Sequence, residues 1–318
     1  MDRREQGGRD RAWRSERDYR DRTPASFAVS ARSVIVAAVV VGLSMTTVAA
    51  DRGASAVAAA TTPLATQSAN PPVAATTAPP PPTVFDTGVT VPRSGEEGLW
   101  LSWSLVDDAG HRETGSANRG SEWTNSESSM KAWITTDLVR VAGERGRALR
   151  ANEDSDIEAA LRRSDDQAAE RIWRSLGAEQ VLGDLKSVCG VAVSTSRRGY
   201  WAYSQITAAD ATSILRCVLD RAPTYPGGDQ VVKALHGVEP DNAFGIPQAL
   251  PAGTDVAVKN GWTAHSATGQ WNVDCVASWS DYTLAVLTRY PMARKLDYGA
   301  GVCRDVTAAL LPRLPEQR

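Results

Sequence analysis

Two lysines and two serines in this chain have the types and the order of an acyl-transfer site. Lysine is scarce: Lys131, Lys186, Lys233, Lys259 and Lys295 are the only five, against thirty arginines. Ser128-Ser129-Met130-Lys131 sets a hydroxyl and an amine three residues apart, on one face if the segment is helical. Ser164-Asp165-Asp166 follows, and then Lys259-Asn260-Gly261. An amine can shed its proton and act as a base, which a guanidinium cannot. A chain that prefers arginine but keeps lysine at both places therefore points to proton chemistry. In this reading Ser128 is the nucleophile that becomes acylated. Lys131, buried beside a second cation, is the base that deprotonates it. Ser164 relays the proton to a leaving nitrogen. Lys259 supplies fixed positive charge for a substrate carboxylate and helps hold Lys131 neutral. Gly261 leaves room for a substrate backbone. Taken singly, the three motifs read as helix caps, a solvated lysine and a turn; their joint order carries the chemical reading.

The elements that must position these residues can be read from periodicity. Leu99 to Val106 is strand-like, and Asp107-Asp108-Ala109-Gly110 is a turn leading to a second strand. Residues 128–143 read as a helix with Met130, Trp133, Ile134 and Leu138 at helical spacing. Asp154 or Ser155 is expected to cap another helix, broken at Ser164-Asp165-Asp166 and resumed through Leu176. Residues 210–220 form a further helix. Residues 255–258, 271–279 and 282–288 read as strands, and residues 302–314 as a closing helix. Strands, helices, strands and a last helix make an α+β pattern, with an antiparallel sheet drawn from both ends of the chain and flanked by helices, some forming a helical subdomain.

The remainder of the sequence sets the surroundings. Residues 1–32 are dense in charge and expected to be disordered on the cytoplasmic side. Residues 33–50 are eighteen uncharged residues, read as a transmembrane anchor, with cleavage near Ala50 and secretion as the alternative. Residues 51–84 are an Ala/Thr/Pro-rich linker ending in Pro79-Pro80-Pro81-Pro82. A net charge of −2 gives no reason to expect nucleic acid. Cys189, Cys217, Cys275 and Cys303 all lie in the C-terminal part. In an exported domain four cysteines suggest two disulfides. Of three possible pairings, contact between a strand and the closing helix favours Cys275–Cys303, leaving Cys189–Cys217. The cysteine spacings and the scattered His111, His236 and His265 match no metal pattern, and no cofactor is expected.

With these motifs in order, residues 95–318 resemble the superfamily of penicillin-binding proteins and serine β-lactamases, nearest to the class A β-lactamase arrangement. Ser204 to Asp210 and Gly245 to Gly253 resemble segments that precede the family's later helices and its third motif. The resemblance implies a serine hydrolase domain over residues 85–318, Ser128 as nucleophile and Lys131 as its base. It also implies Ser164 as relay, Asp166, Lys259 and Asn260 as substrate-binding groups, and an oxyanion hole from the backbone N–H groups of Ser128 and Trp262. Its expected ligands are peptidoglycan-derived peptides or β-lactam-like small molecules. Departures accompany the matches. Asp166 replaces an amide with an acceptor-only carboxylate, and Asn260 replaces a hydroxyl residue. Only 36 residues separate Ser128 from Ser164, and no Glu-x-x-Leu-Asn segment lies between Ser164 and Lys259. The last absence argues against fast β-lactam turnover. Three readings follow: an envelope D,D-peptidase-like or related acyl hydrolase, a weak β-lactamase, or a binding module that kept the fold and lost the rate.

Overall fold

The opening hairpin takes shape where the alternation placed it. β1 (Trp100–Asp107) pairs with β2 (Arg112–Ser116) around Gly110, whose positive φ of 88° suits a residue without a Cβ. The computed structural model describes residues 82–116 and 123–315. The segments expected at 1–32 and 33–50, and all but the last residues of the linker at 51–84, lie outside the described residues. Among the described residues no helix is long and apolar enough to cross a membrane.

The other edge of β1 joins the far end of the chain. β9 (Tyr282–Pro291) runs antiparallel to β1 from Trp100 opposite Arg289 to Asp107 opposite Tyr282. β8 (Gln270–Trp279) then pairs with β9, and β6 (Val256–Val258) and β7 (Gly261–His265) both pair with β8. The sheet order is β2-β1-β9-β8-β6, with β7 also on β8. Short β7 was not read from sequence.

Period-two alternation gives this sheet two apolar faces. Leu101, Trp103, Leu105, Val273, Cys275 and Val286 turn to one side, where α7 (Lys295–Leu310) packs through Val302, Cys303 and Val306. α7 begins seven residues before the expected position 302. Trp100, Ala257, Val276, Ala285 and Leu287 turn to the other side and meet the remaining helices. These are α1 (Lys131–Glu144), α2 (Ala151–Arg162), α3 (Asp166–Ser175), α4 (Gln180–Cys189), α5 (Ala208–Arg221) and α6 (Asp229–His236). The described residues thus form an α+β fold with an antiparallel sheet and seven α-helices. A small second sheet, β3 (Thr124–Asn125), β5 (Ser204–Ile206) and β4 (Ser194–Thr195), lies beside α5.

α1 is buried nearly all round, from Lys131 to Arg140, as expected of a helix enclosed by others. Its polar residues are satisfied internally: Thr135 Oγ1 donates to the Lys131 carbonyl at 2.9 Å, and Thr136 Oγ1 to that of Ala132 at 2.8 Å. α2 starts at Ala151 rather than after Asp154 or Ser155. The Glu153 carboxylate reaches back to the Arg150 N–H at 2.9 Å and fixes the earlier start. In α5 the box is Thr207 with Asp210, each accepting from the other's backbone N–H.

Both disulfides have the pairing that strand-to-helix contact favoured, Cys189–Cys217 and Cys275–Cys303, with Cα atoms 5.7 and 6.2 Å apart. Gly245 crosses directly over the second. A Cβ there would lie 2.7 Å from Cys275 Sγ and 2.8 Å from Cys303 Cβ, and φ is +79°. Gly245→Ala is therefore expected to destabilise the domain by about 2 kcal/mol or more, from overpacking and backbone strain together. Urea denaturation of the two proteins measures this.

Candidate active site

Ser128 lies in a 3₁₀ turn, Glu127–Met130, that leads directly into α1 at Lys131. The turn is pressed onto β7 by the missing side chain of Gly261. A Cβ on that glycine would meet Ser126 O, Ser128 N and Ser129 N, each at 2.8 Å. The contact sets the Ser128 N–H beside the strand residue that precedes Trp262, the other expected oxyanion donor.

Glu127, absent from the sequence reading, anchors this turn. Its φ of +45° is one that a side-chain-bearing residue adopts only under constraint, at a cost of about 1–3 kcal/mol. The constraint is its buried carboxylate, which accepts from Thr263 Oγ1 at 2.6 Å and Asn272 Nδ2 at 3.2 Å and meets His265 Nε2 at 2.7 Å. Those partners come from β7 and β8, so one side chain ties the turn bearing Ser128 to two strands. The available signal was the strand alternation that places Asn272 and Asp274 on the face turned toward the turn.

Asp274 is the cross-strand partner of Gly261 and projects to the same face. It is fully buried, and neither carboxylate oxygen has a hydrogen-bond partner among the described residues. Burial pushes its pKa well above the usual carboxylate range, and the charge of Glu127 adds to the rise while Arg289 opposes it.

The two motif lysines meet at Ser164. Lys131, with no exposed surface, donates to the Ser164 carbonyl at 2.5 Å, to Ser164 Oγ at 3.3 Å and to Asp166 Oδ1 at 2.6 Å. Ser164 can offer both oxygens because its φ is +55° where α2 ends, while Asp165 caps α3 by accepting from Ala168 N at 2.7 Å. Lys259, 2% exposed, donates to the same Ser164 Oγ at 2.9 Å and to its neighbour's carbonyl, Asn260 O, at 3.1 Å. Burial holds the Lys259 amine well below the ordinary lysine range; the charge of Lys131 lowers it further and Asp166 partly opposes. The Trp201 ring closes the site beside Lys131, its centroid 5.0 Å from Nζ. Asp166 keeps its side chain 48% exposed, so it is the polar face that this cluster presents outward.

Asn260 does not face the site. Lys259 continues the alternation of Ala257 and turns toward α1, which sends Asn260 to the opposite side of the sheet. There its Nδ2 donates to the carbonyls of Asn242 and Phe244 at 3.0 and 2.9 Å, and its Oδ1 accepts from Val276 N at 3.3 Å. The expected substrate-binding role is corrected to that of a loop anchor. The Trp262 side chain also turns away, edge-on to Phe244 at 5.3 Å, leaving only its backbone for the site.

No protein-family profile and no curated protein sequence matches the chain. Solved structures do. A class A β-lactamase of the last common ancestor of Gram-negative bacteria superposes with a TM-score of 0.54 at 21% identity, over 69% of this chain and 95% of that one. A representative class A β-lactamase from Bacteroides cellulosilyticus DSM 14838 gives 0.56 at 12% identity, over 69% and 92%. One from Mycobacterium abscessus gives 0.53 at 20% identity, over 67% and 92%. The chain has the class A β-lactamase fold.

Within that class A β-lactamase fold, the structure brings Lys131, Ser164, Asp166 and Lys259 into one hydrogen-bonded cluster and sets Ser128 and Gly261 in backbone contact. It leaves Asn260 outside. Two outcomes check this account. Gly261→Ala must push the Glu127–Met130 turn off β7, because all three close atoms are backbone; a loss of about 1–3 kcal/mol is expected in chemical denaturation. Asp274→Asn tests the buried carboxyl. The folded chain keeps a proton on Asp274 that the unfolded chain releases above its ordinary 3.8, so this group subtracts stability progressively as pH rises from there. The Tm gain of Asp274→Asn over the parent is therefore expected to be larger at pH 8 than at pH 5.

Proposed function

We propose that this protein is a serine acyl hydrolase of the cell envelope that forms an acyl-enzyme on Ser128, with a peptidoglycan-derived peptide or a β-lactam-like small molecule as substrate. The observation that carries the reading is one hydroxyl, Ser164 Oγ, held between two buried amines, with the turn bearing Ser128 packed on the strand that follows Lys259. Two buried amines around one serine are costly to a core, and such perturbed groups cluster at functional sites, which supports proton chemistry there. The class A neighbours support the acyl-transfer part. The envelope part is supported by the uncharged stretch at residues 33–50 and by two disulfides. Among the described residues β7 pairs only with β8, which leaves its other edge for the backbone of a bound acyl chain.

A second reading, a binding module without turnover, is favoured by one specific observation: Asp166 forms an ion pair with Lys131 at 2.6 Å, where an acceptor-only carboxylate cannot donate to a substrate carbonyl. Fluorescent penicillin separates the two. A covalent adduct on the Ser128 peptide, absent in Ser128→Ala, is the expected result, with nitrocefin turnover slow because no Glu-x-x-Leu-Asn segment supplies a deacylating glutamate. An unlabelled parent protein that still binds muropeptides establishes the binding module instead.

A further inference from the structure

Lys131 and Lys259 share Ser164, yet their remaining partners differ in kind. Among the described residues every acceptor of Lys131 Nζ belongs to Ser164 or Asp166, and one is a carboxylate. An ammonium has three N–H donors, so these three contacts account for all of them. For Lys131 to take the proton of Ser128, it would first have to give up the 2.6 Å ion pair and leave Asp166 beside a neutral amine. Among the described residues Lys259 has no carboxylate on its Nζ. Its acceptors are a hydroxyl, Ser164 Oγ, and a backbone carbonyl, Asn260 O. A neutral amine fits there, donating to the carbonyl and using its lone pair toward Ser164.

Resting on the acyl-enzyme reading above, we propose that Lys259, acting through Ser164 Oγ, is the catalytic base of this site, and that Lys131 is a fixed cation locked by Asp166. The ionisable groups acting on Lys259 are Lys131 and Asp166, and burial together with the Lys131 charge favours the unprotonated amine. In the acylation step Ser128 Oγ forms a bond to the acyl carbonyl carbon, whose π pair moves onto oxygen. The Ser128 proton passes to Ser164 Oγ as the Ser164 proton passes to Lys259 Nζ, which becomes an ammonium. Collapse of the tetrahedral intermediate breaks the bond to the leaving group, which takes the proton back by the same route and restores the neutral amine. The positive charge at Lys259 thus exists only while the oxyanion does.

The scarcity of lysine makes the test direct. The full chain labelled with 15N-lysine carries five Nζ signals, three of them from the exposed Lys186, Lys233 and Lys295. Arginine substitutions at those three positions assign them, and Lys131→Arg identifies Lys131 among the remaining two by removing its signal. On raising the pH, Lys259 is expected to lose its proton before all four others. Lys131 losing its proton first, or both amines titrating with the exposed lysines, overturns the proposal. Kinetics with fluorescent penicillin supply the second readout. Lys259→Arg, which cannot release a proton, is expected to slow labelling about 10²–10⁴-fold, and Lys131→Arg, which keeps the charge, by less than about tenfold. The reverse order overturns the base assignment alone. A parent protein that shows no adduct removes the acyl-enzyme reading and this proposal with it.

Discussion

Two amines buried around one hydroxyl form an arrangement in which both cannot carry charge at low cost, and the rest of the architecture serves it. Desolvation penalises each ammonium, and their mutual repulsion in a site shielded from water adds to the penalty. The structure relieves this asymmetrically. One amine is given a carboxylate, Asp166, and an aromatic face, Trp201; the other is given only neutral acceptors. Helix α1 delivers the first amine, the strand break between β6 and β7 delivers the second, and the loop closing α2 delivers the hydroxyl. Three separate elements must therefore hold their places to a fraction of an ångström.

Backbone contact and buried polar anchoring fix those places together with the apolar packing of α1. The turn bearing Ser128 touches β7 through atoms that leave no space for a side chain at Gly261. Glu127 holds the same turn from beneath through Thr263, His265 and Asn272. Asn260 fixes the other side of the strand break by gripping the carbonyls of residues 242 and 244. Residues outside the lysine–serine cluster thus carry much of the geometry, and their polar bonds are worth having because burial makes leaving them unmade expensive.

The architecture was legible from sequence where periodicity was long. β1, β8 and β9 alternate over eight to ten residues, and α1 keeps helical spacing over four turns, so their types followed directly. β7 is five residues long and opens on a glycine, which reads as a turn until β8 is there to pair with it. α2 was begun too late because Glu153 signals a cap by reaching backward, a bond that spacing does not reveal. The meeting of the motif lysines with Ser164 was legible because lysine is scarce and the three motifs stand in order. Glu127 was not, since a carboxylate next to a serine looks like any solvated residue until the fold buries it. Asn260 was misassigned through weighing its type and ignoring strand alternation, which alone sends it to the far face.

The pairing of β1 with β9 has a consequence for how the chain acquires its shape. Trp100 and Arg289 are direct neighbours in the sheet, although almost the whole domain lies between them in sequence. During synthesis β1 and β2 emerge before the helices and form a hairpin whose inner edge stays unpaired until β9, at Tyr282–Pro291, arrives. Closing so long a loop is slow, because its entropy must be lost before any strand contact rewards it. The helices are built from local contacts and can assemble earlier, so α1 and its lysine wait for the strand that completes the site. Until then the apolar edge of β1, with Trp100, Leu101 and Trp103, is open to any extended partner, which makes the interval before β9 the period when this molecule is most exposed to misassembly.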